Sequence, residues 1–337
     1  MPLPRPPRRR SRASLGLLVA WLVAAVAVLT GCTTAPLDVG AIDDPATAHL
    51  RDGPRVADLP NDDPVPVETA PQASPRADRI IAIDRNGTLG ATVFALGLGP
   101  KVVAVGGSTT FPAAAGLPVV TDPGHAINVE KVLAQRPTVV LAARDSTPAG
   151  ILDQLRAAGL DVAEFTGDRS IAGTPALIRD VAKALGAQAA GERLVARTQG
   201  QIDAARRSLP DPTGDPTMAF LYIRGDRLIL LAGPGSGADD LIAGLGGKDA
   251  GTEAGLTAAF TMVSTESLMR ADPDVILVMT QGAESVGGLD GVAALPAVAG
   301  TGAGRARRII AMEETEILAF GPDTGLVLRS LGEAIYR

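Results

Sequence analysis

Cysteine is almost missing from this chain, and aromatic residues are scarce. Among 337 residues there are one cysteine, one tryptophan, two tyrosines and two histidines, and aromatics make up 3% of the total. A single cysteine excludes an internal disulfide, so an apolar core must hold any folded domain together. The tryptophan, Trp21, and the cysteine, Cys32, both lie near the N-terminus, which leaves Tyr222 and Tyr336 as the only large polar aromatics of the remaining sequence. Two histidines, His49 and His125, supply a protein-only transition-metal site poorly, because such a site takes about four ligands. No nucleophile, base and acid stand together in a motif, which argues against an enzyme.

Basic residues are also in deficit. Once the five arginines of the first 31 residues are set aside, 26 basic residues face 37 acidic ones, a formal charge of −11. A domain this acidic is a poor binder of nucleic acid.

The five arginines Arg5, Arg8, Arg9, Arg10 and Arg12 precede an apolar run from Leu15 to Leu29, and Leu29-Thr30-Gly31-Cys32 follows at once. Charged, apolar and small residues in that order form a secretory signal. The run is shorter than the roughly 18 residues a spanning helix needs, so residues 1–31 are read as a signal peptide cleaved before Cys32. The Leu-Thr-Gly-Cys pattern resembles the lipobox of bacterial lipoproteins, which implies a diacylglyceryl thioether on Cys32. Two acyl chains anchor a protein stably where one does so marginally. The expected location is the cell membrane, lipid-anchored, on its extracellular or periplasmic side.

Residues 32–77 are rich in Pro, Asp, Ala and Thr without an apolar period, and are read as a disordered tether. His49 falls in it. Order is expected from Arg79, where short apolar runs alternate with helical spacing: an N-terminal α/β lobe over 78–169. The stretch 170–210 breaks the rhythm. Thr174-Pro175 is a cap followed by proline, and Leu177, Ile178, Val181, Leu185, Leu194, Val195, Thr198 and Ile202 recur at helical spacing. This predicts one long connecting helix, with Gly186 and Gly191 as weak points. A C-terminal α/β lobe is expected over 214–337.

The two lobes share a pattern. Residues 128–141, beginning Asn128-Val129-Glu130, align without gaps on residues 264–277, beginning Ser264-Thr265-Glu266. Each has a cap, a short helix with an early glutamate, a proline, and then an apolar strand. Capped helices stopped by proline are common in α/β proteins, and acids are favoured in a first helical turn, so the pattern alone does not separate structure from function.

A lipobox, a polar tether, two α/β lobes joined by a long helix and paired glutamate-bearing units together resemble the class III solute-binding lipoproteins of ABC importers for cobalamin, siderophores and haem. Ser108-Thr109-Thr110-Phe111-Pro112, Gly124-His125-Ala126-Ile127-Asn128, and Leu221-Tyr222-Ile223-Arg224-Gly225 followed by residues 233–239 are similar to haem-binding members of the Gram-positive, actinobacterial type. The resemblance implies that His125 and Tyr222 ligate haem iron axially from opposite lobes. The cargo would be ferric haem b, and a monomeric receptor would hand it to a permease and its ATPase. It also implies that Glu130 and Glu266 meet arginines on that permease, one per lobe.

The residues fit this chemistry. Phenolate is an accepted haem ligand that favours ferric iron, and imidazole is the common nitrogen ligand. Residues two apart on a strand share a face, so Arg224 is expected beside Tyr222, where a cation favours the phenolate form. His125 is expected on a loop after a strand over Leu117–Val120, at the strand edge where open α/β sheets bind ligands. Phe111, Phe260 and Phe320 are expected against the apolar face of the haem, and Gly233–Gly237 as a turn beside the pocket. A cobalamin or ferric-siderophore binder of the same fold remains the alternative.

Overall fold

The structure is a computed structural model, and it describes residues 49–336 apart from 145–147, 149, 166–168 and 211–213. Cys32 and the signal segment lie outside the described residues. The N-terminal lobe is built on four parallel strands, β2 (Ile80–Ile83), β3 (Val102–Val105), β4 (Val139–Ala143) and β5 (Val162–Phe165), in the order β3-β2-β4-β5. Both faces of β2 are covered, as parallel strands require. Ile80 and Ala82 pack with Leu89 and Val93 of α1 (Thr88–Ala95) and with the connecting helices. Ile81 and Ile83 turn the other way, onto Val132 of α2 (Val129–Ala134) and Leu152 and Leu155 of α3 (Ile151–Ala157).

The connection between lobes is helical but is not one helix. Helix α4 (Thr174–Leu185) stops at Gly186, which has φ +68°, and α5 (Gln188–Ser208) begins two residues later. The positive φ favours glycine. A Cβ there would also stand 2.7 Å from the Cβ of Ser74, whose N–H donates to the Leu185 carbonyl at 3.0 Å.

The C-terminal lobe carries seven strands. Strands β6 (Thr217–Arg224), β7 (Leu228–Ala232), β9 (Phe260–Met262), β10 (Val275–Met279) and β11 (Ile309–Met312) follow the order β11-β10-β6-β7-β9, and β8 (Lys248–Asp249) pairs with the start of β6. Strands β6, β10 and β11 are parallel, whereas β7 is antiparallel to β6 and to β9. The helices of the lobe include α6 (Ala238–Gly244), α7 (Thr265–Ala271), α8 (Thr280–Glu284), α9 (Glu314–Ile317) and α10 (Thr324–Ile335).

The seventh strand corrects the expected tether. Residues 49–77 are not a free linker. Leu50 is 1% exposed within the C-terminal core, and the Arg51 N–H donates to the Ile335 carbonyl at 2.9 Å. Strand β1 (Arg55–Val56) adds itself parallel to β11. The chain then crosses to the other lobe, where the Asp63 carboxylate accepts from the Ala113 N–H at 2.5 Å and the Val67 N–H donates to the Ala95 carbonyl at 2.9 Å. Arg197 of α5 donates to the Val65 carbonyl at 2.6 Å, and Glu68 pairs with Arg193. This strap spans both lobes of one compact unit.

Candidate functional site

Tyr222 and Arg224 stand together at the end of β6. Alternation along that strand sends Ala219, Leu221 and Ile223 into one core layer and Met218 and Phe220 into the other. Tyr222 and Arg224 continue the second face beyond the core, toward the segment that follows β11. The Arg224 guanidinium lies over the Tyr222 ring, 4.7 Å from its centroid. Phe260 meets the same ring edge-on at 6.4 Å. An aromatic face attracts a guanidinium electrostatically, and the arrangement is the one expected from the two-residue spacing.

His125 is exposed, and it sits at φ +67° in a tight turn. The expected strand over Leu117–Val120 is reduced to a bridge between Val105 and Val119, and a second bridge joins Thr121 to Ile127. Between them the His125 N–H donates to the Asp122 carbonyl at 3.0 Å, and Asp122 in turn takes hydrogen bonds from Lys131 at 2.8 Å and Asn128 at 3.1 Å. Those two hydrogen bonds hold the Asp122 carboxyl below its usual range. Ser108 lies with its hydroxyl 3.0 Å from the His125 Nδ1, which orients the ring and leaves Nε2 free of that contact. The left-handed backbone costs a residue with a side chain on the order of 1–2 kcal/mol, so the turn is maintained by its hydrogen bonds rather than by preference.

The two lobes touch through the loops that flank these residues. Thr110 of the N-terminal lobe and Thr315 of α9 share a hydrogen bond of 3.3 Å. A cavity of about 390 Å³ lies beside that contact, lined by Ser108, Thr110, Phe111, Glu313, Thr315 and Glu316 among others. Neither His125 nor Tyr222 lines it. Among the described residues, no hydrogen bond or ring contact joins His125 to Tyr222.

Of the three phenylalanines expected near the ligand, Phe260 touches Tyr222 and Phe111 lines the cavity while packing edge-on against Phe94 at 4.8 Å. Phe320 is 6% exposed within the C-terminal core and lines a different cavity, of about 620 Å³, together with Asp84, Thr88, Arg169 and Ala319. The glycine loop at 233–237 is closed by Asp239, which accepts from the Gly235 and Gly237 amides at 2.8 and 3.0 Å.

Sequence reasoning missed Glu314. Its Oε1 accepts from the Gln281 and Gly282 amides at 2.9 and 3.3 Å and lies 4.0 Å from Arg224. In the sequence it belongs to Glu313-Glu314-Thr315-Glu316, and an acidic run reads as a solvated surface.

The paired units repeat in three dimensions. Asn128 caps α2 by accepting from the Lys131 N–H at 3.0 Å, and Ser264 caps α7 by accepting from the Ser267 N–H at 3.1 Å. Each unit ends on a residue of positive φ before proline, Arg136 at +47° and Asp272 at +37°. Glu130 and Glu266 are both exposed in the first helical turn, and Glu266 pairs with Arg270 at 2.9 Å.

Residues 87–315 match the family described as periplasmic binding protein. The chain belongs to that family. Its members and neighbours are substrate-binding proteins and not enzymes. The solved heme binding protein HmuT is 33% identical with a TM-score of 0.77, over 87% of this chain and 99% of that one. Solved variants of HmuT carry alanine in place of a histidine, a tyrosine and an arginine, the last two separated by one residue. A cobalamin-binding protein of Halobacterium salinarum is 27% identical over 267 residues, 78% of this chain and 69% of that protein. The uncharacterized ABC transporter substrate-binding lipoprotein YvrC of Bacillus subtilis is 25% identical over 327 residues, 95% of this chain and 96% of that protein. The family member is thus of the haem, cobalamin and siderophore class, with relatives among ABC transporter substrate-binding proteins. Among the described residues, no helix is long and apolar enough to cross a membrane.

Proposed function

We propose that the chain is the haem receptor of an ABC importer, of the Gram-positive, actinobacterial type, held outside the cell membrane by a lipid on Cys32. Ferric haem b is its cargo. Tyr222 and His125 are the axial ligands of the iron, supplied from opposite lobes, and Arg224 stands beside the phenol oxygen's ring. Glu130 and Glu266 dock the loaded, monomeric receptor on the permease.

The observation that carries this reading is the Arg224 guanidinium packed on the Tyr222 ring at the open end of β6. Hard ferric iron suits a phenolate oxygen, and the pair keeps the ring at the lobe edge, outside the core. The alanine variants of HmuT at a histidine and at a tyrosine-x-arginine pair support carrying the ligand set to His125, Tyr222 and Arg224. A cobalamin cargo is favoured by the Halobacterium salinarum relative, and a ferric siderophore is the third cargo of the class.

Titration of the full chain in detergent with haemin, cobalamin and a ferric siderophore tests the reading. Haemin is expected to give a saturable Soret change at one equivalent, with the spectrum of an oxygen-ligated ferric haem. Binding of cobalamin or siderophore without a haemin response would overturn it.

A further inference from the structure

A mostly buried carboxylate with one unsatisfied oxygen stands behind Arg224. The Glu314 side chain is 14% exposed. Its Oε1 takes the Gln281 and Gly282 amides and lies 4.0 Å from Arg224 Nη1, while Oε2 is buried with no hydrogen-bond partner. Leaving a carboxylate oxygen buried and unpaired is unfavourable, so such a group calls for a structural or functional reason. A neutral acceptor would also satisfy the first amides of α8, although a carboxylate is favoured further at a helix N-terminus. Among the described residues, the cation that pairs with Glu314 is Arg224, at 4.0 Å.

Arg224 needs such a partner. Its side chain is 39% exposed at a strand end, and the hydrogen bond it makes goes to the carbonyl of its own neighbour, Ile223, at 3.1 Å. A long, partly exposed side chain loses rotamer freedom when it settles on one ring face, and a stacking contact at an exposed site is weak. A fixed carboxylate restricts the guanidinium to the region above Tyr222. The turn after β6 is held from the same side, since the Gly225 N–H donates to Ser285 at 2.9 Å and Ser285 donates to the Gly282 carbonyl at 2.7 Å.

The residue next to Glu314 carries one of the contacts between lobes, beside those by which Asn86 and Thr88 donate to the Leu318 and Ala319 carbonyls at 3.3 and 2.5 Å. Thr315 meets Thr110, two residues from Ser108, whose hydroxyl holds His125. A continuous series of contacts therefore runs from His125 through Ser108, the 108–110 loop, Thr315 and Glu314 to Arg224 and Tyr222.

We propose that Glu314 is a positioning residue: it holds the Arg224 guanidinium over the Tyr222 ring, and through Thr315 it makes that arrangement depend on contact with the N-terminal lobe. The proposal rests on the reading of Tyr222 as a residue that meets the ligand. It assigns Glu314 no contact with the ligand itself.

Glu314→Gln separates the two roles of the side chain. Its amide oxygen still accepts from Gln281 and Gly282, but the charge facing Arg224 is gone. The chain has two tyrosines, so tyrosine-labelled full chain in detergent gives NMR ring signals from Tyr222 and Tyr336 alone. Tyr336 donates its hydroxyl to the Leu245 carbonyl at 2.7 Å and reports the fold. In the ligand-free chain, Glu314→Gln is expected to shift the Tyr222 ring signals and to remove their contact with the Arg224 side chain, while Tyr336 is unchanged. Thr315→Val, which removes only the hydroxyl facing Thr110, is expected to move the Tyr222 signals in the same direction.

Haemin affinity is expected to fall about threefold to tenfold in Glu314→Gln, as loss of one partly screened charge allows. Combined with Arg224→Ala, it should add no further loss. Unchanged Tyr222 signals in Glu314→Gln, or additive losses in the double variant, would overturn the positioning role. Unchanged signals in Thr315→Val would overturn the coupling between lobes. If the unmutated chain fails to bind haemin, the haem reading falls alone, and the ligand-free ring signals still decide the role of Glu314.

Discussion

Thr110 and Thr315 join the two lobes by a hydrogen bond of 3.3 Å, hydroxyl to hydroxyl, across the gap between the His125 loop and the segment beside Tyr222. Thr110 belongs to a loop and Thr315 to α9, and the proposed ligand residues His125 and Tyr222 do not form the contact. A cargo that binds between the lobes thus meets two side chains already oriented by their own lobes, His125 by Ser108 and Tyr222 by Arg224.

Tyr222→Phe keeps the ring under Arg224 and removes the phenol oxygen. Haemin binding should weaken at least tenfold and lose the oxygen-ligated ferric spectrum, because the anionic ligand that offsets the ferric charge is gone. His125→Ala should weaken binding less and leave that spectrum recognisable. Equal and negligible losses in both variants, measured by Soret titration, would remove the pair from the site.

Leu50→Ala tests the strap. Leu50 is 1% exposed in the C-terminal core, and cutting a buried leucine to alanine costs about 2–5 kcal/mol. The expected result is a clear fall in the denaturant midpoint of the full chain. A midpoint equal to that of the parent would mean that residues 49–77 behave as a free linker.

Glu316 makes stability depend on pH. Burial first, then Glu313, Asp58, Asp323 and Asp62, push its carboxyl up to about 7 from an ordinary 4.5. A raised folded-state value means that folding takes up a proton between those limits: the contribution is fully present below pH 4.5 and is lost as pH rises through about 7. After discounting for its partial exposure, the effect is on the order of 1 kcal/mol. Glu316→Gln should therefore be more stable than the parent at pH 8 and gain little or nothing at pH 4.5, read from thermal midpoints. A difference that does not vary with pH would show that the acidic surroundings do not act on Glu316.

Glu130→Arg with Glu266→Arg should abolish haem uptake in cells while haemin binding by the isolated chain stays normal. Charge pairs at a docking surface set register and encounter rate, so single reversals should show mainly in association rate and salt dependence. Uptake at the parental rate in the double variant would reduce both residues to acids that favour a helix start.

Local chemistry was legible in the sequence. Asn128 and Ser264 cap their helices, Pro137 and Pro273 follow them, and Tyr222 and Arg224 share a strand face, because each of these depends on residues a few positions apart. Tertiary structure decided the rest. Residues 49–77 lack an apolar period, yet they are ordered because a distant edge strand, β11, supplies hydrogen-bond partners and the C-terminal core receives Leu50. Gly186 ends a helix that its spacing would have continued, where a chain segment more than a hundred residues earlier passes against it. Glu314 reads as one acid in a solvated run and becomes a mostly buried group beside Arg224 once β6, β11 and α8 meet. Those outcomes depend on partners far away in sequence, and neither periodicity nor composition records which distant segment will come to lie alongside.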